Sequence, residues 1–291
     1  MKNTVTLLLR PLQPSLLVLG ALLAFSPTGR LAAVPPPIAA PVFNGYIGSD
    51  YSIYSMRSNT SSWTSGAWSL DGAYSCPIDS LSTLQFDADY FRLSPGRGLG
   101  GMNAWNGDVH YSYKMDDIPV GGFAGAFTNH GNSIWGGGIE TSLPVGKCGW
   151  LPWPNAPASD SSVLNLQGLY GRNSQSGTNR WGGRGELRLY PEENVRVGAN
   201  FSFQHTADRP VGPFTFTTNI WSVGASADYL FPCGWSVYGD YEHTHFNRTG
   251  FNVDGFTLGV RYCFGRTPKI RDTVGLGYAN FSQLLGVSAK F

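Results

Sequence analysis

The chain has 291 residues and a net charge of +1, and its charged fraction of 13% is about half the share usual in soluble proteins. Because the two signs of charge nearly balance, no strongly basic face argues for nucleic acid as a partner. Aromatic residues make up 14% of the chain and 38 residues are glycine, while the length allows one large domain.

The N-terminus carries the parts of a secretory signal. Lys2 and Arg10 provide positive charge, residues 16–25 form a short apolar core, and small residues follow at Ala32 and Ala33. The apolar run is far shorter than the ~20 residues that a membrane-spanning helix needs. We therefore predict a signal peptide over residues 1–33, with cleavage near Ala33.

A proline-rich linker is predicted over residues 34–42, which read as extended backbone before the first strand. No later segment is continuously apolar over the length that a spanning helix requires. A membrane protein without spanning helices has to be a closed barrel, because lipid leaves the edges of an open sheet without hydrogen-bond partners.

Six later stretches share one pattern, an aromatic residue followed by apolar or small residues at alternate positions. They cover residues 68–74, 105–113, 135–143, 181–189, 221–231 and 256–264. A period of two is typical of a β-strand, because successive side chains point to opposite faces. The intervening residues are small or polar, as at Asp71, Glu140 and Arg261. Aromatic ends, an apolar outer stripe and a polar inner stripe describe the strands of an outer-membrane barrel.

The predicted fold class is all-β, a transmembrane antiparallel up-and-down β-barrel over residues 43–265. Twelve strands are predicted, and an even number is the rule for single-chain bacterial barrels. The strands run over residues 43–56, 66–76, 81–94, 104–115, 119–129, 133–144, 162–173, 180–190, 194–206, 216–231, 234–246 and 253–264.

The connections between these strands alternate in length. One set is mostly tight and marked by proline, as at residues 76–79 and 191–194, and the other is mostly longer and polar, as at 94–103 and 206–218. Short periplasmic turns and longer outer loops are the rule for such barrels. With the N-terminus on the periplasmic side, the tryptophans that lead the even strands form an outer aromatic girdle. These are Trp68, Trp105, Trp135, Trp181 and Trp221.

The segment after the twelfth strand allows two interpretations. Residues 266–291 are either a tail that is periplasmic or plugs the barrel, or they add strands at 270–278 and 281–291 and raise the count to fourteen. The alternation that ends in Phe291 resembles an assembly signal of outer-membrane barrels, whereas residues 261–265 already have the features of a final strand. We predict twelve strands and a tail.

Two short motifs resemble a known family. Residues 43–48 read Phe-Asn-Gly-Tyr-Ile-Gly, and residues 259–265 read Gly-Val-Arg-Tyr-Cys-Phe-Gly. They resemble the first and last strands of the outer-membrane β-barrel (porin-like) proteins of alphaproteobacteria, and the architectural resemblance covers residues 42–265. The cysteine-containing turns and the long tail depart from that pattern.

The resemblance implies a bacterial outer-membrane location and passive solute passage. It brings no catalytic residues and no cofactor to this chain. Its implied partners are the lipid bilayer of the outer membrane and the barrel-assembly machinery, while association between copies of the chain stays open.

All four cysteines fall at the predicted periplasmic end of the barrel. The oxidising periplasm favours disulfides. Cys233 opens strand eleven and Cys263 ends strand twelve, so these two are predicted to pair, which leaves Cys76 to pair with Cys148 of the long connection 146–161. A metal site is an alternative that lacks the usual Cys-x-x-Cys spacing, and free thiols are the third interpretation.

The inward-facing positions carry charges of both signs. A water-filled pore would use rings of such charges to filter solutes, whereas a narrow lumen would be filled by a network of salt bridges. Barrels of 8 strands are packed solid and those of 16–18 are open, so a twelve-stranded barrel leaves both interpretations standing. The candidate lumen-lining residues are Asp71, Asp87, Asp89, Asp108, His110, Lys114, Glu140, Arg184, Glu186, Arg188, Asp228 and Arg261.

Two histidine-containing patterns could carry chemistry. His110 and Ser112 share the inward face with Asp108, and a hydrolase could use the histidine as base and the serine as nucleophile. However, residues i and i+2 of a strand lie ~6.5 Å apart, which is too far for a direct hydrogen bond, so a polar lumen lining is favoured. His243 and His245 have outward parity, and interfacial imidazoles are favoured over a metal pair.

The sequence therefore predicts a porin-like channel for passive diffusion of small hydrophilic solutes, and not an enzyme. A non-conducting structural or surface-adhesion barrel is the alternative, and an outer-membrane hydrolase is a remote one. A soluble secreted sandwich would not need an apolar outward face in all six aromatic-headed stretches.

Overall fold

The computed structural model describes residues 44–94, 101–116, 118–129, 132–145, 162–207, 217–264 and 278–285. The predicted signal peptide and the connection 146–161 lie outside this part of the chain. Its elements are β1 (Asn44–Arg57), β2 (Ser62–Pro77), β3 (Ser82–Ser94), β4 (Met102–Met115), β5 (Ile118–Asn129), β6 (Asn132–Pro144), β7 (Ser162–Asn173), β8 (Asn179–Glu192), β9 (Val195–Ala207), β10 (Thr217–Leu230), β11 (Trp235–Phe246), β12 (Phe251–Phe264) and the short helix α1 (Phe281–Leu285). None of the helices in the described ranges has the length and apolar character needed to cross a membrane.

The strands form one closed antiparallel barrel, in which each strand pairs with the next and β1 pairs with β12. The register of β1 shows the closure, because Tyr51 lies opposite Leu258 of β12 and opposite Trp68 of β2. The predicted all-β class, the up-and-down order and the count of twelve are confirmed. Closure leaves no free edge among the described strands, and residues 281–285, considered as the start of a further strand, are helical.

Side chains alternate between the lumen and the outer surface along each strand. In β12, Val260 and Tyr262 are 47% and 46% exposed, whereas Arg261 and Cys263 are 9% and 6% exposed. The alternation follows from the pleat of the strand. Large apolar side chains thus cover the outer surface, among them Ile47, Leu70, Phe86, Ile139, Leu166, Phe201, Val223, Val237 and Leu258.

The barrel has two distinct ends. At the near end β1 begins at Asn44 and β12 ends at Phe264, and at the far end β1 ends at Arg57 and β12 begins at Phe251. The inner wall carries many buried polar side chains, and it also has an apolar region that extends towards the far end. The apolar wall residues are Tyr54, Met56, Ala67, Phe91, Leu93, Ala104, Phe123, Phe127, Ile134, Leu169 and Val253.

Residues 278–285 lie inside the barrel, and we call them the plug segment. Its main chain bonds to Asp108 of β4 and to Gln167 of β7. Phe281 and Leu284 belong to the same apolar cluster as the wall residues towards the far end. Of the positions considered for the tail from its sequence, these residues adopt the plugging one.

The structure does not contain the predicted Cys233–Cys263 disulfide, and none of the described cysteines is bridged to another. Cys263 is buried against the lumen, while Cys233 is exposed in the turn before β11. The N–H of Cys263 donates to the carbonyl oxygen of Gly234 at 2.7 Å, so the register places Gly234, not Cys233, beside Cys263. The Cys76–Cys148 pair stays a prediction, since Cys148 lies outside the described residues.

Gly138 of β6 occupies a position where the barrel has no room for a side chain. A Cβ there would overlap the carbonyl oxygen of Gly168 and lie 2.8 Å from the Phe123 ring. Overpacking costs ~1–3 kcal/mol, so we expect Gly138→Ala to lower the free energy of unfolding by about 2 kcal/mol. At Gly107 a Cβ would meet nothing within 4 Å, which makes Gly107→Ala the matched control. Urea titration of the refolded barrels measures both, and equal losses would contradict the close packing of β6 on β7.

Candidate functional site

Four polar side chains meet on the wall formed by β3, β4 and β6. Asp87 of β3 lies directly opposite Asp108 of β4, and His110 follows on the same inward face. Glu140 of β6 completes the group, which we call the histidine cluster. All four are more than nine-tenths buried, with exposures of 7%, 7%, 1% and 2% in the order given.

His110 holds the cluster together through both ring nitrogens. Nδ1 lies 2.8 Å from Oε2 of Glu140. Nε2 lies 3.1 Å from Oδ1 of Asp108 and 3.4 Å from Oδ2 of Asp87. The sequence predicted the inward direction of these side chains, but not that one imidazole would contact three carboxylates on three strands.

The plug segment adds to this cluster. The Tyr278 ring is stacked on His110 with an interplanar angle of 7° and a centroid distance of 6.2 Å, and Phe123 of β5 stacks on the same imidazole at 5.4 Å. The backbone N–H of Phe281 donates to Oδ2 of Asp108 at 2.5 Å. Asp108 therefore connects the imidazole, through Oδ1, with the plug segment, through Oδ2.

Two glutamines of the wall hold the plug-segment backbone. Nε2 of Gln167 donates to the carbonyl oxygen of Ala279 at 3.0 Å, and its Oε1 accepts from the N–H of Ala279 at 3.1 Å. On β9, Nε2 of Gln204 donates to the carbonyl oxygen of Leu284. The bond from Gln204 satisfies a carbonyl that the short helix leaves without an internal partner, and the bonds from Gln167 hold the residue that precedes Asn280.

Apolar packing fixes the part of the plug segment that is helical. Phe281, Leu284 and Leu285 are at most 1% exposed. The Phe281 side chain lies over two wall glycines, since a Cβ on Gly125 would be 2.8 Å from its Cβ and one on Gly171 would be 3.7 Å from its Cζ. Full burial of one such side chain contributes ~1.5–3 kcal/mol, so this contact is a large part of what retains the plug segment.

Ion pairs cover a second part of the wall, on β8, β9 and β10. Arg188 binds Glu186 in a bidentate manner, with Nε to Oε1 at 2.8 Å and Nη2 to Oε2 at 3.0 Å. Arg184 lies 3.7 Å from the same carboxylate, and Arg196 lies 3.2 Å from Asp228. Planar guanidinium groups suit such paired contacts with carboxylates. The pairs hold charges of both signs against the wall.

A further pair crosses β1. Nη2 of Arg261 lies 3.1 Å from Oδ2 of Asp71, although the two residues sit on strands that flank β1 on opposite sides. Gly48 makes this contact feasible, because a Cβ there would lie 2.8 Å from the Asp71 carboxylate. The guanidinium group also lies 3.7 Å from the Tyr238 ring centroid and 4.5 Å from that of Tyr46, which are favourable cation–π contacts.

A cavity of about 190 Å³ separates the plug segment from these ion pairs. Tyr278 and Asn280 line it on the plug side, and Arg184 and Arg261 are among its lining residues on the wall. Pockets for drug-sized ligands typically begin near ~300 Å³. This cavity, bounded by the described residues of the plug segment and the wall, is below that range.

The remaining predicted lumen residues differ in their surroundings. Asp89 faces the plug segment and accepts hydrogen bonds from Nδ2 of Asn280 at 3.1 Å and from Oγ of Ser282 at 2.5 Å. Lys114, which has the same inward parity on β4, is exposed close to the end of the strand.

Sequence reasoning missed several wall residues that contact their neighbours in the lumen. Arg196 occupies an inward-facing position of β9. The alternation of inward and outward residues, used above for the even-numbered strands, predicts its direction when it is applied to the odd-numbered ones as well. Gln167 and Gln204 carry no charge and gave no signal, although both hold the plug segment. In a barrel that holds a peptide segment, inward-facing amide side chains therefore indicate contacts with that segment as well as inward-facing charges do.

The hydrolase pair that the strand spacing disfavours does not form. The polar contacts of the His110 ring nitrogens are all with Asp87, Asp108 and Glu140, and neither nitrogen contacts Ser112. The serine is buried on the same face, 8% exposed, as strand geometry requires.

The five tryptophans of the predicted aromatic girdle occupy outward-facing positions of their strands. Trp68, Trp105 and Trp181 are 43%, 62% and 50% exposed, and the other two tryptophans are half-buried by neighbours on the outer surface. Trp221 packs against His243 and His245, with ring centroids 5.6 and 5.4 Å apart.

No protein-family model matches the sequence, and no curated protein matches it significantly. Solved structures do match the fold. An outer membrane channel from Pseudomonas putida F1 is 13% identical with a TM-score of 0.53, over 81% of this chain and 100% of that one. The NanC porin (10% identity, TM-score 0.45, 74% and 98% coverage) and the KdgM porin (10%, 0.44, 74% and 99%) are more distant matches. The chain therefore has the closed antiparallel β-barrel fold of an outer-membrane channel.

Proposed function

We propose that this protein is an outer-membrane channel for passive diffusion of small hydrophilic solutes, closed in the described state by its own plug segment. The observation that carries the proposal is that a separate peptide segment, residues 278–285, lies inside the lumen and is bonded to its wall. In narrow barrels the wall's own side chains fill the interior and cannot leave it. A segment joined to the wall only by its chain and by non-covalent contacts can leave, and its departure would uncover a polar passage.

The outer surface supports the membrane part of the proposal. Its large apolar side chains alternate with buried polar ones, as in Leu258 and Arg261 of β12. Water would not stabilise so extensive an apolar surface, whereas the hydrocarbon core of a bilayer would. The signal peptide over residues 1–33, export to the outer membrane and insertion by the barrel-assembly machinery are parts of the same proposal.

The wall chemistry suits small hydrophilic solutes. Arginines on β8, β9 and β12 are paired with carboxylates, so this part of the inner surface carries charges of both signs. Once the plug segment has left, these ion pairs and the amides of the wall would be open to the lumen and would replace part of the hydration shell of a polar solute. The proposal requires no catalytic residue and no cofactor.

A non-conducting structural or surface-adhesion barrel is the second candidate. The observation in its favour is the number of bonds that hold the plug segment, including those from Gln167, Asp89 and Gln204. If these bonds never open, the barrel serves as a rigid scaffold for its outer loops.

Single-channel recording in a planar bilayer tests the choice between the two. We expect discrete, reproducible steps from a variant that lacks residues 278–291, and rare or no steps from the full-length protein. Both proteins are first shown to be folded by their heat-dependent shift in gel mobility. A folded variant that stays silent after the deletion would contradict the channel and favour the structural barrel.

A further inference from the structure

The histidine cluster contains more buried negative charge than its neighbours balance. Asp87 and Asp108 are directly opposed on adjacent strands, and like charges in that position destabilise a sheet. Glu140 adds a third buried carboxylate. The described part of the chain places no Lys or Arg in ion-pair contact with these three groups, so His110 is the one basic side chain that meets them. Buried charges of this kind are stable only when they are paired or bind a metal.

The hydrogen-bond pattern prepares His110 to act as a ligand. If the Nδ1–H of His110 donates to Oε2 of Glu140, 2.8 Å away, the Nε2 lone pair is available to a ligand on the side of Asp87 and Asp108. A metal ion between that lone pair and the two carboxylates would take the place of a proton on Nε2. A carboxylate behind a ligating histidine is the usual arrangement at metal sites, because it orients the ring and raises its basicity.

The distances match those of a small coordination sphere. Zinc binds nitrogen and carboxylate oxygen at ~2.0–2.2 Å, so neighbouring ligand atoms of a tetrahedral site lie ~3.3–3.5 Å apart. Nε2 of His110 lies 3.4 Å from Oδ2 of Asp87 and 3.1 Å from Oδ1 of Asp108, and the three ligand atoms lie within 4.8 Å of one another.

A further observation points to an additional partner at this place. The Glu140 side chain is fully enclosed, and its Oε1 has no hydrogen-bond partner among the described residues. A buried oxygen without a partner calls for an explanation, and an ion or water in the cluster would supply one.

We propose that Asp87, Asp108 and His110 bind a divalent transition-metal ion of the zinc class, with Glu140 as the residue that positions His110. Imidazole together with carboxylates suits Zn²⁺ and its neighbours in the first transition row. The ion would neutralise the opposed carboxylates. It would also fix Asp108, whose second oxygen holds the backbone of Phe281, so metal binding would help to retain the plug segment.

Zinc content measures this directly. The full-length protein is refolded in detergent with buffered Zn²⁺, dialysed against a competing chelator and analysed for bound metal by mass spectrometry. We expect one tightly held ion per chain in the wild type. Asp87→Asn and His110→Gln should lose it, and Glu140→Gln should weaken retention ten- to a hundred-fold, as is typical for a residue that orients a ligand.

His243→Gln is the matched control, because His243 is a histidine on the outer surface that pairs with Asp254 away from the cluster. It should retain wild-type zinc. Heat-dependent gel mobility establishes that every variant is folded, and Asp87→Asn, which changes one atom, tests the site even if His110→Gln does not fold. Absence of bound zinc in the folded wild type, or equal zinc in the wild type and Asp87→Asn, would overturn the proposal. Neither result depends on conductance, so the channel proposal stands or fails separately.

Discussion

Replacing Phe281, Leu284 and Leu285 together by alanine is expected to turn a closed barrel into a conducting one. Each of the three side chains is fully buried in the apolar cluster. Large-to-alanine changes in a core cost ~2–5 kcal/mol each, so the loss for the docked plug segment is about 6 kcal/mol or more. A two-state equilibrium needs ~5.5 kcal/mol to move from 1:99 to 99:1. The plug segment should therefore pass from almost always docked to mostly released.

Single-channel recording with the alanine variant at full chain length provides the measurement. Gln283→Ala is the matched control, since Gln283 is the exposed residue of the same helix and should leave the barrel closed. Gly125→Val acts from the wall, because a side chain at Gly125 would collide with Phe281 and with Asp108. It should also raise the open probability without any change in the tail. Folded variants that both remain as silent as the control would contradict a releasable plug segment.

Ile139→Arg is expected to destabilise the barrel by about 2–4 kcal/mol, the usual cost of an arginine that faces lipid near the membrane midplane. Ile139 is 74% exposed on the outer surface, in the middle part of β6. Ser69→Arg is the matched control, because Ser69 lines the inner cavity together with Asp50 and Asp89 and its arginine would meet water and carboxylates. Urea unfolding of both variants in lipid vesicles compares them. If Ile139→Arg were as stable as Ser69→Arg, the outer surface would not face hydrocarbon.

The strands and their two faces were determined by the sequence alone. The predicted strand over residues 162–173 has the same bounds as Ser162–Asn173 in the structure. Alternation has a period of two residues and is a local property, so it can be read without knowledge of any partner. Because apolar residues lie on one face of each strand and polar residues on the other, twelve strands could bury their polar faces only by closing into a barrel.

The contacts inside the lumen were decided by the tertiary structure. Parity shows that Asp108 and Glu140 point inward, but inward side chains of many strands share one lumen, and closure and strand tilt select which of them meet. The failed Cys233–Cys263 prediction has the same origin. A shift of one residue at the turn placed Gly234 beside Cys263, and in a strand a shift of one residue reverses the face on which a side chain lies.

The position of the plug segment is the clearest case of tertiary control. Its sequence was compatible with a strand, a periplasmic tail or a plug. The surface that receives Phe281 includes Gly125 and Gly171, and the apolar cluster around it includes Met56 and Val253. These residues come from strands far apart in the chain, and they form one surface only after the barrel has closed. Burial of apolar area against that surface selects the plugged position, and no local pattern of the tail encodes it.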